Sequence, residues 1–498
     1  MSKSTKKKKV IVIGAGPGGL SAGMILASRG FEVVVHEKKD RVGGRNAPLT
    51  VDGFVFETGP TFVMLPQIFE EVFSLAGRKM SDYLEFIRLD PLYRLRFGLH
   101  DDFRVYFDKE KIQKEIEEKF PGEEKSYERY LKHEKRKFEK TYECLKVPYM
   151  KWYHYFRWKL LKALPYMQNL KSVDEVLTAF FRDERIKLSM TFQTKYLGMS
   201  PWECPGAFSI LSYAEHGYGI YHPKGGVHKI SEAMADVIRE YGGMIRLSSP
   251  VREILFEGKK AVGVRLDGGE EERGDFVVMN SDFGYGVRTL IPEKIRKRYS
   301  DKKVGEKEYS CSTFMLYLGL DTTYDIPHHN IFFSSDYKKN IEDIFVEKRL
   351  PDDPSFYVHN PAVTDGTLAP EGKSAVYVLV PVPNNTAKID WSAEAESFKE
   401  KVLQKISERS EMKDITAHIE TVRVMTPPQW EEDVCVYRGA VFNLSHVISQ
   451  MLYMRPHNEF DDTENLYLAG GGTHPGSGLP TILESGRIAA DLIWKKAR

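Results

Sequence analysis

The sequence has no excess of charge of either sign. Its 72 lysines and arginines almost cancel its 71 aspartates and glutamates, so nothing in the global balance directs it to nucleic acid or to an acidic polymer. Cysteine is scarce: Cys144, Cys204, Cys311 and Cys435 stand far apart and form no C-x-x-C pair. That argues against a disulfide framework or a cysteine zinc site and fits a reducing cytoplasm. Histidine offers one doublet, His328 and His329 in IPHHNIFF. Neighbours on an extended segment point to opposite faces, and no cysteine or paired carboxylate nearby completes a ligand set, so no metal is expected. Past the first thirty residues no apolar run reaches about 18, so no transmembrane helix is expected. No internal repeat divides the 498 residues, and 42% hydrophobic content leaves room for two or three domains with a sizeable core.

One long uncharged stretch is present, residues 10–27, behind four lysines. A basic segment, an apolar core and small residues imitate an export signal. Gly14, Gly16, Gly18, Gly19 and Gly23, with Pro17 among them, argue otherwise, because each weakens or breaks a helix interior. The stretch divides into a β-branched strand (10–13), a turn (14–19) and a helix (20–28) that stops at Gly30. Gly14, Gly16 and Gly19 fit G-x-G-x-x-G, and FEVVVHEK follows as a second strand ending in Glu37, where a dinucleotide fold places the acid that holds a ribose hydroxyl. One glycine makes the tight turn, one lets the backbone approach a pyrophosphate, and one lets helix and sheet pack. A carboxylate there disfavours a 2′-phosphate and hence NADP. The opening lysines then form a solvated tail, with a weaker role against anionic lipid.

Beyond Glu37, KKDRVGGRNAPLTVDGFVFETGPTFV adds a glycine pair, Arg45, a strand through Phe54 and Phe56, and a turn at 58–61. Residues 75–170 are rich in charged and aromatic side chains in helical runs, and read as an inserted helical region rather than more sheet. HPKGGVHKISEAMADVIREYGG predicts a glycine turn and an amphipathic helix with Ile230, Met234, Val237 and Ile238 on one face. MIRLSSPVREILFE, AVGVRLD and DFVVMN, separated by EGKK and DGGEEER, predict an antiparallel meander. TFMLYLGL and SAVYVLVPV predict strands, and AEAESFKEKVLQKISER a helix. The C-terminal NLYLAGGGTHPGSGLPTILESGRIAADLIWKKA repeats the opening pattern: strand, glycine turn, helix. Two glycine turns thus bracket the chain, and could supply backbone donors to both ends of a long dinucleotide such as FAD; the alternative is that Gly470, Gly471 and Gly472 only make a tight turn.

As a set, VIVIGAGPGGLSAG, EKKDRVGGR, FETGPTF, KYLGMSPWECPGAFSILSYAEHGYGIYHPKGG, MRPHN and LYLAGGGTHPGSGLPTILESGRIAA resemble the flavin-containing amine oxidoreductase superfamily, and within it the bacterial phytoene and related carotenoid desaturases. The likeness runs nearly the whole length. It implies an α/β fold: a Rossmann-like FAD-binding domain with a parallel sheet and β-meander (1–75, 223–290 and 440–498), plus an inserted α+β substrate domain (76–222 and 291–439). It implies that Gly14, Gly16 and Gly19 hold the FAD pyrophosphate, Glu37 and the adjoining Lys38 the adenosine ribose region, and Gly44 and Arg45 the phosphate side. Gly59, Pro60 and Thr61 would lie against the flavin, with the backbone of Val251 at the adenine. Gly471 and Gly472 would line the ribityl chain, and Leu479, Pro480 and Thr481 would face the flavin's pyrimidine edge, where a helix N-terminus favours negative charge. One departure stands at Gly472, where amine oxidases often carry an acid; desaturases, isomerases and ketolases of this fold differ around the same loop.

The resemblance implies dehydrogenation of an acyclic C40 or C30 polyene, with oxygen or a quinone receiving the electrons. Isomerisation, terminal oxidation or flavin-free prenyl-lipid carriage are the rival activities of the fold. A hydrocarbon without acidic hydrogens leaves few catalytic side chains to expect. Tyr213, Tyr218 and Tyr221 are candidate lining, and Glu215 is the carboxylate there able to take a proton; its alternative is an ion pair with Lys224 or a partnership with His216. Residues 144–173 contain no acid, while Lys146, Lys151, Arg157, Lys159, Lys162 and Lys171 alternate with Tyr149, Trp152, Tyr153, Tyr155, Phe156, Trp158 and Tyr166. That composition suits a surface-lying helix on anionic headgroups, hence a cytoplasmic enzyme peripheral on the inner face of the cell membrane. The alternative is a helix with its aromatics in the core. No nucleic-acid partner is expected.

Overall fold

The computed structural model describes residues 7–99, 101–168 and 170–498. The strands Lys9–Ile13 and Glu32–His36 pair in parallel through the helix Pro17–Ser28. Phe276–Met279, Leu466–Leu468 and Met244–Arg246 complete a five-stranded parallel sheet, ordered 466–468, 276–279, 9–13, 32–36, 244–246. Alternation along the first strand sends its side chains to two cores. Val10 and Val12 meet the helices Pro17–Ser28, Lys229–Glu240 and Leu479–Ala497, while Ile11 and Ile13 meet Ile254, Ala261 and Val264. Both faces of the sheet are covered, which is why its strands read as continuous apolar runs.

A seven-stranded mixed sheet is built from other parts of the chain, ordered 419–425, 312–320, 374–382, 356–359, 329–333, 93–97, 101–105. One face buries Phe314, Leu316, Val376 and Val378 under the helix Trp391–Arg409. The other carries Met315, Tyr317 and Tyr377 onto the hairpin of Pro48–Val51 and Phe54–Glu57, where Phe54 and Phe56 are buried. The floor of this sheet therefore faces the turn at 58–61.

Three expectations are corrected. Residues 75–170 are not wholly helical: Phe86–Arg88, Tyr93–Phe97 and Asp101–Val105 are strands, and two of them close the large sheet. Arg94 and Arg96 disguise them, since both point inward yet are paired with Glu411 and Asp102, which makes burial of their charge tolerable. The meander is narrower than expected. Val251–Glu257, Lys260–Leu266 and Glu271–Arg273 form it, while Met244–Arg246 and Phe276–Met279 leave it for the parallel sheet. Glu271–Arg273, which reads as a charged turn, is an edge strand held by Arg265–Glu271 and Arg273–Glu257 pairs. Finally, the expected tail falls partly on residues 1–6, outside the described residues, and Lys9 is already in the first strand, 2.7 Å from Glu272.

No described helix is long and apolar enough to cross a membrane, and all four cysteines are free.

Candidate functional site

The two glycine turns meet. A Cβ on Gly18 would stand 2.9 Å from the Gly470 nitrogen, and one on Gly486 would overlap the Gly18 carbonyl oxygen. The first and last helices therefore cross backbone to backbone, and each starts without a side-chain cap, at Gly16 and at Gly478. Uncapped N-termini leave N–H groups and partial positive charge free for an anion. Gly44 closes the approach from a third side: its Cβ would stand 3.3 Å from Gly16 Cα, and the Gly43 N–H donates to the Ala15 carbonyl at 2.8 Å. A Cβ on Gly19 would overlap the Gly14 carbonyl oxygen, so the turn tolerates no side chain there.

Glu37 is buried and accepts from Ala15 N at 2.8 Å and Lys39 N at 3.0 Å. Val251 lies in the same corner, because Ser249 N donates to the Glu37 carbonyl and Ser249 Oγ contacts His36 Nδ1 at 2.9 Å. Lys38 turns outward, its Nζ 2.7 Å from Cys435 Sγ. Arg45 reaches across to the Val441 carbonyl at 2.6 Å and stands 3.7 Å from Asp282. Gly59 is packed on the Arg45 carbonyl with no space for a Cβ. Next to Pro60, Thr61 Oγ1 contacts the hydroxyls of Tyr357 at 3.0 Å and Tyr377 at 3.4 Å. At the far end, a Cβ on Gly472 would overlap Phe283 and stand 2.7 Å from Asn443 Oδ1; the acid that amine oxidases carry has no space here. Leu479 and Pro480 are buried at the helix start, and Thr481 Oγ1 donates to the Ser477 carbonyl at 2.8 Å. Glycine cradles that a Cβ would fill, two open helix ends and a buried acid suit a long dinucleotide.

Sequence reasoning missed the residues that lock these pieces. Asn280 ends the strand Phe276–Met279 and sits among Gly14, Gly16, Gly18 and Gly470. Asp282, its side chain 5% exposed, accepts from Asn443 Nδ2 at 2.6 Å, and enclosure of its carboxyl raises it above the ordinary range. Arg455, 0% exposed, donates to the carbonyls of Gly471 at 2.7 Å and Thr473 at 3.1 Å, and burial lowers it to about 9. The MRPHN motif marked its segment but not its task.

Beyond Thr61 lies an aromatic wall. Phe62 stacks on His329 at 4.1 Å and touches Tyr196 and Tyr357 at 5.1 and 5.4 Å. Glu215 lies behind Tyr93, 0% exposed; its Oε2 accepts from Gln193 at 2.8 Å and Tyr93 at 3.0 Å, while Oε1 has no hydrogen-bond partner among the described residues. Burial raises this carboxyl to about 7, against the pull of Gln193, Tyr196 and Tyr93. Neither expected partner holds it: Lys224 pairs with Glu85 and His216 bonds Tyr93 and Tyr127. Tyr213 and Tyr218 turn instead to Phe138, and Tyr221, whose N–H donates to the Val63 carbonyl, turns its ring to Phe86 rather than to Phe62. The sequence showed no ligand set around His328 and His329; the fold supplies His328 with one from two distant strands, His222 and His359. Burial holds His328 and His359 well below the ordinary imidazole range.

The basic aromatic stretch is a 3-10 turn, Trp152–Phe156, followed by the helix Trp158–Met167. Its buried stripe is Leu160, Ala163 and Met167, and Tyr149 is buried too, against His474. Trp152, Phe156 and Trp158 are 65–69% exposed, and Leu164 and Leu170 join them. Tyr155 touches Tyr453, extending the patch towards exposed Met454 and Ile448. Beside it opens a groove of about 820 Å³ whose lining joins apolar residues such as Leu170, Trp202, Val447 and Ile448 to the charged Lys171, Asp174, Glu175 and Glu203. From Val447 the chain leads back to His446, whose Nε2 accepts from Ser477 N in the second glycine turn.

A two-turn cradle fused to an aromatic-walled sheet domain defines a dinucleotide-dependent oxidoreductase. The chain belongs to the flavin-containing amine oxidoreductase family, whose match spans residues 17–494; FAD is its cofactor, and it is an oxidoreductase acting on CH–CH bonds. It is 49% identical over 99% of its length, and 96% of the relative's, to a 4,4'-diapophytoene desaturase (4,4'-diapolycopene-forming) of a Methylomonas species. It is 37% identical to an all-trans-zeta-carotene desaturase of Myxococcus xanthus, covering 100% of this chain and 95% of that one. Among solved structures, an oxidoreductase from Methanosarcina mazei (TM-score 0.65, 18% identity, 97% and 100% of the two chains) and putrescine oxidase bound to putrescine (TM-score 0.62, 15% identity, 99% of each) share the fold.

Proposed function

We propose that this enzyme desaturates an acyclic carotenoid precursor, with the C30 hydrocarbon 4,4'-diapophytoene as its preferred substrate over C40 phytoene. The observation that carries the chain-length preference is the 49% identity, sustained over 99% of the chain, to a relative named for that substrate. The glycine cradle around Gly14, Gly16, Gly19, Gly44, Gly471 and Gly472, with Glu37 and Val251 at one end and Gly59, Pro60, Thr61, Leu479, Pro480 and Thr481 at the other, holds FAD. When bound, FAD supplies the two-electron acceptor for the C–H bond. Phe62, Tyr196 and Tyr357 orient the polyene and exclude water, which favours a cationic hydrocarbon over its hydration. Glu215 is our candidate for the proton acceptor: near pH 7 a useful fraction is carboxylate, and Oε1 is free to receive.

The substrate dissolves in lipid, and the exposed aromatic and basic face of residues 151–164 is the surface we assign to the membrane, with the enzyme peripheral on its cytoplasmic side. The groove beside Leu170 is then the entry for the hydrocarbon. Oxygen or a quinone reoxidises the flavin.

The test is anaerobic. FAD-loaded protein is mixed with liposomes carrying either diapophytoene or phytoene, and the absorption spectrum and product masses are recorded. Bleaching of the flavin band with new polyene bands, faster with the C30 substrate and with masses lower by pairs of hydrogens, supports the proposal. Faster reaction with C40 overturns the preference, and an unchanged or oxygen-increased mass overturns desaturation.

A further inference from the structure

Three histidines distant in sequence meet where the strand Tyr221–Pro223 runs beneath the large sheet. His222 lies in that strand, His328 precedes the strand His329–Phe333, and His359 ends the neighbouring strand Phe356–His359. None is more than 3% exposed. One ring nitrogen from each lies within 4.8 Å of those of the other two, and no ion accompanies them.

The hydrogen bonds around the three rings aim one nitrogen of each towards the other two, and His328 Nε2 and His359 Nε2 share a hydrogen bond that a metal would displace. His328 Nδ1 is 2.9 Å from Thr364 Oγ1, which turns its Nε2 inward to within 3.0 Å of His359 Nε2. His222 Nε2 is 3.0 Å from Asp365 Oδ2, and its Nδ1, buried, has no hydrogen-bond partner among the described residues. Asp365 is itself fixed, accepting from Gly225 N at 2.6 Å and Thr367 N at 3.0 Å. A metal-binding imidazole commonly gives its other ring N–H to a carboxylate or hydroxyl, which sets tautomer and orientation. His222 and His328 have such partners in place. Two imidazole nitrogens on one tetrahedral zinc stand about 3.3 Å apart, close to the 3.0 Å of His328 and His359.

We propose that His222, His328 and His359 form a site for one divalent transition-metal ion, zinc by its ligand chemistry: three neutral nitrogens with a fourth position for water. Binding sends the proton held between His328 Nε2 and His359 Nε2 to an outer ring nitrogen and draws the third nitrogen inward by about 1.5 Å. The ion has no redox part in the reaction. It ties the strand that leads into the helix Lys229–Glu240 to the large sheet. It also braces the wall from behind, since His329, next to His328, stacks on Phe62 and lies 2.6 Å from the Tyr357 hydroxyl that contacts Thr61.

The test uses FAD-loaded enzyme from zinc-supplemented medium, dialysed into metal-free buffer. Zinc per chain is measured by plasma mass spectrometry and its surroundings by zinc-edge X-ray absorption. The expected result is about one zinc per chain with three nitrogens at about 2.0–2.1 Å, falling at least tenfold in His359→Ala and in His328→Ala, and unchanged in His418→Ala, a histidine outside the cluster. Zinc below about a tenth per chain in the wild type, after adding one equivalent, overturns the proposal. So does zinc that both cluster variants retain. If the variants do not fold, the wild-type spectrum decides: a first sphere with sulfur, or without imidazole scattering, refutes the site.

Discussion

Glu215→Gln separates the electrostatic cost of a buried acid from its use. In the unfolded chain this carboxyl ionises near 4.5, and in the folded protein near 7. Between those values the native state keeps a proton that the unfolded state has lost, so stability falls as pH rises, by about 1.4 kcal/mol per pH unit. The loss totals about 3 kcal/mol and stays at that level above pH 7. Glutamine reproduces the protonated shape without the titration. Its amide oxygen still accepts from Tyr93 and Gln193, and its NH₂ takes the place of an oxygen that already lacks a partner, so any fixed offset is independent of pH. Flavin-loaded wild type and variant are unfolded in urea at pH 5, 6, 7 and 8. The expected outcome is a stability difference that moves in the variant's favour by about 2.5 kcal/mol from pH 5 to pH 8, while turnover falls 10²- to 10⁴-fold because a proton acceptor is gone. A difference constant with pH would refute the buried-acid reasoning. Undiminished turnover would refute the proton role alone.

Other substitutions probe the cradle and the surface. Gly472→Ala places a methyl against Phe283 and Asn443; crowding of about 1–3 kcal/mol should weaken FAD binding roughly 5- to 150-fold, measured by flavin fluorescence on titration. Arg455→Met strands the carbonyls of Gly471 and Thr473, and a loss of about 1–3 kcal/mol for each should appear as a lower melting temperature and a flavin-poor preparation. Replacing Trp152, Phe156 and Trp158 together by serine removes three side chains already in water. Folding stability should hold within about 0.5 kcal/mol, whereas binding to anionic liposomes in a sedimentation assay should drop ~10³-fold, from about 4 kcal/mol of lost apolar burial.

The glycine turns were legible because two local periods, 2 and then about 3.6, change over at a glycine hexapeptide in both terminal segments. Val10, Val12 and Val33 also declared themselves, since strands buried on both faces need β-branched runs. Strands whose inward residues are charged did not. Arg94 and Arg96 look like solvent positions until Glu411, more than 300 residues away, is brought to them. Asn280, Asp282 and Arg455 carry no pattern of their own, as each acts by reaching backbone or side-chain groups that only the closed fold assembles. Glu215 was visible as the one acid in an aromatic stretch, but its partners Tyr93 and Gln193 were not. For the same reason, the adjacent His328 and His329 drew attention to the wrong pairing.

The contact between Gly18 and Gly470 also sets the order of events during synthesis. The two residues are ~450 positions apart, and at ribosomal speeds roughly 20 to 90 s pass between their appearances. Through that interval the first strand, helix and glycine turn exist without the outermost strand Leu466–Leu468 and the helix that must cross them. Cofactor capture is therefore a late step, and the nascent chain must keep its apolar parallel strands out of contact with other chains until its final segment arrives.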